Sequence, residues 1–353
     1  MTQALILYNS LLVLTTFGLV VFLNRVKTER TIERTFLLGI IQISALSLAA
    51  ILYPIDGFGR LQLLAWGVFL YFPLFLIGSG VILLNISRSF VFILLALVLT
   101  IFTIGVDAFL IEPQRIEVTH STIYSSKLDQ PIKVAVLADI QTNNPGPYET
   151  RVLGLTAAEN PDLVLLAGDY LQIWDQEKYD AAVIDLNKIF IDAGLEPSLG
   201  IYAVRGNVDH TEWNLIFRDL DVHTFSNTES LDIGALTLTG VSWLDSENPN
   251  LIIPGSQKFH LVLGHSPNFS LGEINADLLL AGHTHGGQVQ LPGIGPLLTL
   301  SLVPRSWASG LTEISPGQYL MVSRGIGLEL GFAPRMRFLC RPELVILDLE
   351  PAQ

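Results

Sequence analysis

Asp277-Leu-Leu-Leu-Ala-Gly-His283-Thr-His285-Gly-Gly-Gln288 runs four apolar residues into a segment of histidine, glycine and threonine. Such a run reads as a buried strand that carries two imidazoles to the edge of a sheet. Histidine is the commonest metal ligand, and glycine lets the backbone come close to whatever is bound. Standing alone, the stretch fits a turn with two solvated histidines at least as well as a metal site.

Four more apolar runs end the same way. Ile132–Ala138 leads into Asp139-Ile140-Gln141, and Leu163–Ala167 leads into Gly168-Asp169. Gly200–Val204 is followed by Arg205-Gly206-Asn207-Val208-Asp209-His210, and His260–Leu263 by Gly264-His265-Ser266. Each has an ordinary reading: Asp139 and Asp169 as helix caps, Asn207 as a turn former, His265 as a satisfied core histidine. Five in succession, each behind an apolar run, are poorly explained that way. Ligands placed beyond strand C-termini converge in one crevice, where open α/β sheets bind their ligands. A set of carboxylate, amide and imidazole suits hard to borderline divalent ions such as Mn, Fe or Zn.

Further strands are predicted at Arg115–His120, Ser121–Ser125 and Leu236–Val241. Helical patterns fall at Tyr148–Ala158, Gln176–Ala193 and His210–Leu220. Alternating strands and helices indicate a layered α/β domain.

Composition changes sharply near residue 111. Before it lie four apolar segments, Ala4–Leu23, Phe36–Ile55, Leu61–Leu84 and Ser89–Val106, each close to the ~18–20 residues that cross a bilayer. None carries an ionisable residue in its middle. The expected organisation is a multi-pass membrane anchor over 1–111 and a second domain over 112–353, with the lipid bilayer as a partner. The first segment lacks a basic leader and a small-residue cleavage site, so it is not expected to be a removed signal. Arg25, Lys27, Arg30 and Arg34 fill the first loop, and Arg88 the third. The positive-inside rule puts both in the cytoplasm and the domain after Glu112 outside it. Arg60, Arg115 and Lys127 weigh mildly the other way. From Glu112 onward there are 14 basic and 29 acidic residues, a net charge of −15, which excludes nucleic acid as the expected partner. The single cysteine, Cys340, excludes an intramolecular disulfide framework.

The ordered motifs resemble those of the calcineurin-like metallophosphoesterases: Asp-x-His, Gly-Asp, Gly-Asn-His-Asp/Glu, a lone His, and Gly-His-x-His. A narrower likeness, to the membrane-anchored YkuE-like and UDP-diacylglucosamine hydrolase-like group, rests on Gly282-His-Thr-His-Gly-Gly-Gln-Val-Gln-Leu-Pro292. The tail segments Ser323-Arg-Gly-Ile-Gly327 and Cys340-Arg-Pro-Glu343 support it. The resemblance implies a four-layer α/β/β/α sandwich and two divalent ions, with Mn favoured. One ion is held by Asp139, Gln141, Asp169 and His285, the other by Asp169, Asn207, His265 and His283. Asp169, Asn207 and Asp209 become expected catalytic residues. His210 is a candidate substitute for the family's missing histidine, with a helix start free of catalytic duty as the more ordinary reading; Asn143 and Asn144, ordinarily turn formers, and Arg205 are candidate substrate contacts. Arg335, Arg337 and Arg341 are candidates for a lipid headgroup, with a surface ion pair as the ordinary reading of each, Arg335 above all. The implied activity is hydrolysis of a phosphodiester or pyrophosphate bond, in a small-molecule or lipid-linked substrate, by metal-activated water.

Two positions depart from the pattern. Gln141 stands where the family has histidine, which weakens the first metal or favours a harder ion. Val208 replaces the histidine of Gly-Asn-His-Asp and cannot protonate a leaving group, which favours substrates with good leaving groups. The rival expectation is a degenerate phosphoesterase without turnover, acting as a membrane-bound lipid-binding or scaffold module.

Overall fold

A computed structural model describes residues 2–26, 30–52 and 57–352. Lys27 and the end of the second apolar segment, through Ile55, lie outside the described residues. The apolar third folds into helices α1 (Thr2–Arg25), α2 (Thr31–Leu52), α3 (Gly57–Trp66), α4 (Phe72–Leu83) and α5 (Arg88–Val106). A π-helical turn, Gly67–Tyr71, joins α3 to α4, and a second, Asp107–Ile111, extends α5. Each turn has a proline just beyond it, Pro73 and Pro113. A proline has no N–H and its ring crowds the carbonyl four residues back, here Phe69 and Phe109, so the regular ladder widens there. Ser87 caps α5 by accepting from the Phe90 N–H.

Four stretches, Leu5–Arg25, Thr31–Leu52, Gly57–Leu83 and Arg88–Gln114, are long and apolar enough to cross a membrane. Leu7, Leu14, Phe17, Leu52 and Phe92 point outward and exposed, as suits helices solvated by lipid. Two pairs of polar side chains meet between helices. Tyr71 Oη donates to Asn9 Oδ1 at 2.9 Å and Gln42 Nε2 to Thr16 Oγ1 at 2.7 Å. In hydrocarbon an unpaired polar group costs several kcal/mol, so these bonds fix the register of the bundle.

The chain divides into two compact units, Met1–Leu110 with Gly331–Arg335, and Ile111–Leu330 with Met336–Gln353. In the second unit, six strands are β1 (Glu117–Ser125), β2 (Ile132–Leu137), β3 (Leu163–Leu166), β4 (Ile201–Val204), β5 (Val222–Phe225) and β6 (Glu229–Ile233). Six more are β7 (Leu236–Gly240), β8 (Phe259–Leu263), β9 (Leu278–Ala281), β10 (Gly310–Ser315), β11 (Gln318–Val322) and β12 (Glu343–Pro351). One sheet has the order β1-β12-β2-β3-β4-β5 and the other β10-β11-β9-β8-β7-β6.

Alternation along the strands assigns each side chain to a layer. Val134, Val136, Leu163 and Leu165 of the first sheet meet Leu236, Leu261, Leu278 and Leu280 of the second in a shared core. Ala135, Leu137, Val164 and Leu166 face the other way, onto α6 (Pro147–Ala158) and α7 (Gln176–Ala193). Behind the second sheet, Val262, Leu279 and Leu320 are covered by Val241, Phe269 and Ile274. The helical part of that outer layer is short, Trp243–Ser246 and the 3₁₀ turn Pro267–Leu271. The helix expected at His210–Leu220 is a 3₁₀ turn, Trp213–Phe217. The two expected N-terminal strands are one, β1, paired in parallel with β12.

Candidate metal centre

Strands β2, β3 and β4 run parallel in one sheet, and β7, β8, β9 and β11 in the other. The C-terminal ends of β2, β3, β4, β8 and β9 carry the five predicted motifs, and their side chains meet. Asp169 Oδ2 lies 3.2 Å from His265 Nε2, and Asn207 Oδ1 lies 2.9 Å from both His265 Nε2 and His283 Nδ1. The ligand atoms of Asp169, His265 and His283 all lie within 4.8 Å of one another. On the other side, His285 Nε2 is 4.0 Å from Asp139 Oδ1. Ligands at about 2.1 Å from one ion sit about 3–4 Å apart, so both spacings suit a shared cation.

The tautomer of His265 is set by its back. Nδ1 donates to the Ala167 carbonyl at 2.8 Å, which leaves Nε2 to face Asp169 and Asn207. Burial alone would lower the His265 pKa, but the Asp169 carboxylate raises it to about 10. Asp169 is buried too, yet the His265 charge and hydrogen bond hold its carboxyl below the usual range. Positive charge is therefore favoured at this point, and a divalent cation would supply it. Burial pushes Asp139 up to about 7, and burial with the Arg337 charge drives His285 well below its ordinary value. A neutral imidazole is the form that binds a metal. Two buried polar atoms here, Gln141 Oε1 and His285 Nδ1, have no hydrogen-bond partner. The donor set fits a divalent metal centre.

The backbone is strained where it delivers these groups. Asp139, Gln141, Asp169, His283 and His285 all have φ between +38° and +69°, a region non-glycine residues rarely occupy. Gly282 allows the tight approach of two turns: a Cβ there would lie 2.6 Å from Asp139 Oδ2. Strand ends followed by such turns aim side chains out of the sheet plane and toward each other.

Other predicted residues sit differently. Asp209 is buried and faces no open space: its carboxylate accepts from the N–H groups of Asp169, Tyr170 and Gly206 at 2.7–2.8 Å. This corrects the expected catalytic part to a positioning one. His210 Nε2 bonds the Ile173 carbonyl at 2.7 Å, and its ring stacks on Tyr179 with centroids 3.8 Å apart. Its candidate catalytic part is likewise replaced by packing. Arg205 donates through Nε and Nη2 to the Asp209 carbonyl, bracing the loop instead of waiting for a phosphate. Asn143 and Asn144 lie exposed on the loop after Gln141. Arg337, fully buried, donates to the carbonyls of Arg324, Gly325, Gly327 and Cys340, so it holds the loop behind Asp139 and no headgroup.

The sequence reading missed Gln172 and Glu329, both bonded to Gln141. Trp243, which reads from sequence as a core or pocket residue, has its ring 5.7 Å from that of His265. Glu329 has no signal in its own neighbourhood; the polarity of buried Gln141, which demands a partner, is the clue available.

Comparison with known proteins agrees with this geometry. Residues 132–287 match the family described as calcineurin-like phosphoesterase. The chain is 26% identical to the uncharacterized metallophosphoesterase YkuE of Bacillus subtilis over 260 residues, 68% of this chain and 87% of that protein. It is 26% identical to phosphodiesterase YaeI of Escherichia coli over 254 residues, covering 66% and 87%. With the uncharacterized metallophosphoesterase Cj0846 of Campylobacter jejuni, 26% identity extends over 310 residues, 81% and 77%. The motif order, the convergent ligands and these matches together make the second unit a calcineurin-like metallophosphoesterase domain, and the chain a phosphoester hydrolase.

Proposed function

We propose that this protein is a membrane-anchored hydrolase of a phosphodiester or pyrophosphate bond in a lipid-linked substrate, dependent on two divalent ions. The observation that carries the reading is the convergence of Asp169, Asn207, His265 and His283 on one point, with Asp139, Gln141 and His285 beyond Asp169. The Asp169 carboxylate lies close enough to influence His265, Asp139 and His285 electrostatically, which supports it as the residue both ions would share. When bound, such ions polarise phosphoryl oxygens and acidify a water. Mn is favoured because an amide oxygen from Gln141 is a hard donor.

The chain's own residues narrow the chemistry. Val208 has no proton to give, and His210 is turned into its stack with Tyr179. No side chain placed at that loop assists a poor leaving group, which favours a pyrophosphate or an activated diester over an alkyl monoester. The lipid-linked character is supported by four helices able to cross a bilayer and by the few residues separating the last of them from β1. Trp174, Leu300 and Leu302 stand exposed on loops of this unit and Leu244 on the short helix Trp243–Ser246, apolar side chains that an acyl chain would suit. The positive-inside reading of Arg25, Arg30 and Arg34 supports a domain outside the cytoplasm.

The test is metal content and turnover of purified full-length protein in detergent with Mn, using bis-p-nitrophenyl phosphate and Asp169→Ala as control. Two ions per chain and hydrolysis lost in the control support the proposal. No turnover above the control with any divalent ion refutes it and leaves the degenerate, lipid-binding reading motivated by Gln141 and Val208.

A further inference from the structure

Gln141 occupies the place of an imidazole, and its surroundings are built around that change. Its Nε2 lies 3.0 Å from Gln172 Oε1 and 2.9 Å from Glu329 Oε2. Glu329 Oε1 in turn accepts from Gln172 Nε2 at 2.7 Å. The amide orientations are fixed by chemistry. A carboxylate only accepts, and Gln172 Oε1 is pinned as an acceptor because it also takes the Leu330 N–H at 2.7 Å. The atom of Gln141 that faces both must therefore be nitrogen, and both of its hydrogens are used.

The oxygen of the same amide consequently points the other way. Gln141 is 1% exposed, and its Oε1 has no hydrogen-bond partner. Leaving a buried carbonyl oxygen unpaired is costly, and a cation removes that penalty. The backbone is held too: the Gln141 N–H donates to the Asp169 carbonyl at 2.8 Å, at a φ of +38°. The backbone of Glu329 is fixed as well, its N–H donating to Gln288 Oε1 at 2.9 Å, three residues beyond His285.

We propose that Gln141 Oε1 is a ligand of the first metal, and that Gln172 and Glu329 are positioning residues that aim and polarise its amide. A charged acceptor on the N–H side of an amide draws electron density toward its oxygen, making a better donor for a cation. Carboxylates that bond the far side of a metal-binding imidazole act in the same sense. The trio thus recovers, with an amide, part of the affinity that the imidazole would supply. This inference rests on the two-ion reading above.

The experiment is Mn binding to full-length protein in detergent, by equilibrium dialysis and electron paramagnetic resonance, with Tm measured metal-free and Mn-loaded. Glu329→Gln forces a donor–donor contact on Gln141 or Gln172. It is expected to weaken one of the two Mn sites about tenfold or more while the other keeps its affinity. Metal-free Tm should stay near wild type and the Mn-induced rise should shrink. Gln141→His in the Glu329→Gln background should restore the weakened site. Should Glu329→Gln fail to fold, Gln172→Met removes one acceptor and is expected to weaken the same site three- to tenfold. Two undisturbed Mn sites in the variant that folds overturn the inference alone, as does an equal loss of Tm with and without Mn. A wild-type chain that binds no metal overturns this inference and the two-ion reading together.

Discussion

Asp209→Asn tests whether the site is held together by a clamp that takes no part in the chemistry. The Asp209 carboxylate ties two loops: Oδ2 accepts from Asp169 and Gly206, and Oδ1 from Tyr170. Burial pushes its pKa up to about 6, so at neutral pH it is still an anion accepting three backbone N–H bonds. Asparagine has the same shape but one oxygen. In the better orientation that oxygen keeps Asp169 and Gly206, and the amide NH₂ is driven against the Tyr170 N–H. One charge-assisted bond of roughly 1.5–3 kcal/mol is lost and a buried donor is left unpaired at about 1–3 kcal/mol. Removing a desolvated charge offsets part of this, leaving about 2–3 kcal/mol. For a domain of this size that is a fall in Tm of about 5–10 °C.

Four of the five tryptophans lie in the phosphoesterase unit, so its melting can be followed by tryptophan fluorescence of the full chain in detergent. The variant should also bind the Asn207-side metal more weakly, because Asp169 and Asn207 lose their common anchor. A metal-free Tm within about 2 °C of wild type, with both Mn affinities intact, would refute the clamp.

Three further outcomes follow from single side chains. Gly282→Ala puts a Cβ 2.6 Å from Asp139 Oδ2 and 2.7 Å from the Ala138 Cβ, so Asp139 must move; turnover should fall about 100-fold, and steady-state kinetics on a diester checks it. Cys340 is buried and its thiol pKa is raised by that burial, so iodoacetamide should leave it unmodified in the native chain and alkylate it fully after denaturation, as read by mass spectrometry. His260 is lowered by burial, against the Asn275 carbonyl bond and Asp277, so below its ordinary 6.5 the unfolded chain binds the proton that the folded one refuses. Stability carried by His260 is complete above 6.5 and declines as pH falls through that window; His260→Gln should flatten the slope by up to about 1.4 kcal/mol per pH unit in urea titrations.

The ligand motifs were readable because each is local: an apolar strand followed at once by the residue it delivers. The apolar helices were readable for the same reason, since length and composition alone define them. What escaped was long-range or geometric. Glu329 reaches Gln141 across 188 residues, and no spacing rule connects them. Asp209 reads as part of a catalytic motif, and only its three backbone donors reveal that it works on the loops. His210 reads either as a substitute acid or as a residue without catalytic duty, and its stack on Tyr179 favours the second. The segment from His210 to Leu220 has apolar residues at helical spacing, Trp213, Ile216, Phe217 and Leu220. It nonetheless ends after one 3₁₀ turn, with Arg218 extended and Asp219 at a φ of +62°.

The two departures from the family pattern, Gln141 and Val208, are physically different, and one variant separates them. At position 208 the site uses the backbone: the Val208 N–H donates to Asp169 Oδ1 at 2.9 Å, a bond any residue but proline supplies. Replacing the histidine there leaves the ligand set untouched and removes only a proton donor beside the substrate. At position 141 the side chain itself is at stake, and Gln172 and Glu329 surround it. Val208→His should therefore leave both Mn affinities unchanged while raising turnover on diesters with poor leaving groups. A well-placed general acid gives 10²–10⁴-fold, so about tenfold is a fair expectation for one introduced without further adjustment. The ratio of rates on an alkyl and a p-nitrophenyl diester reads it directly. If Val208→His weakens metal binding, or leaves that ratio where it was, position 208 does not limit the substrate range and the argument from the leaving group fails.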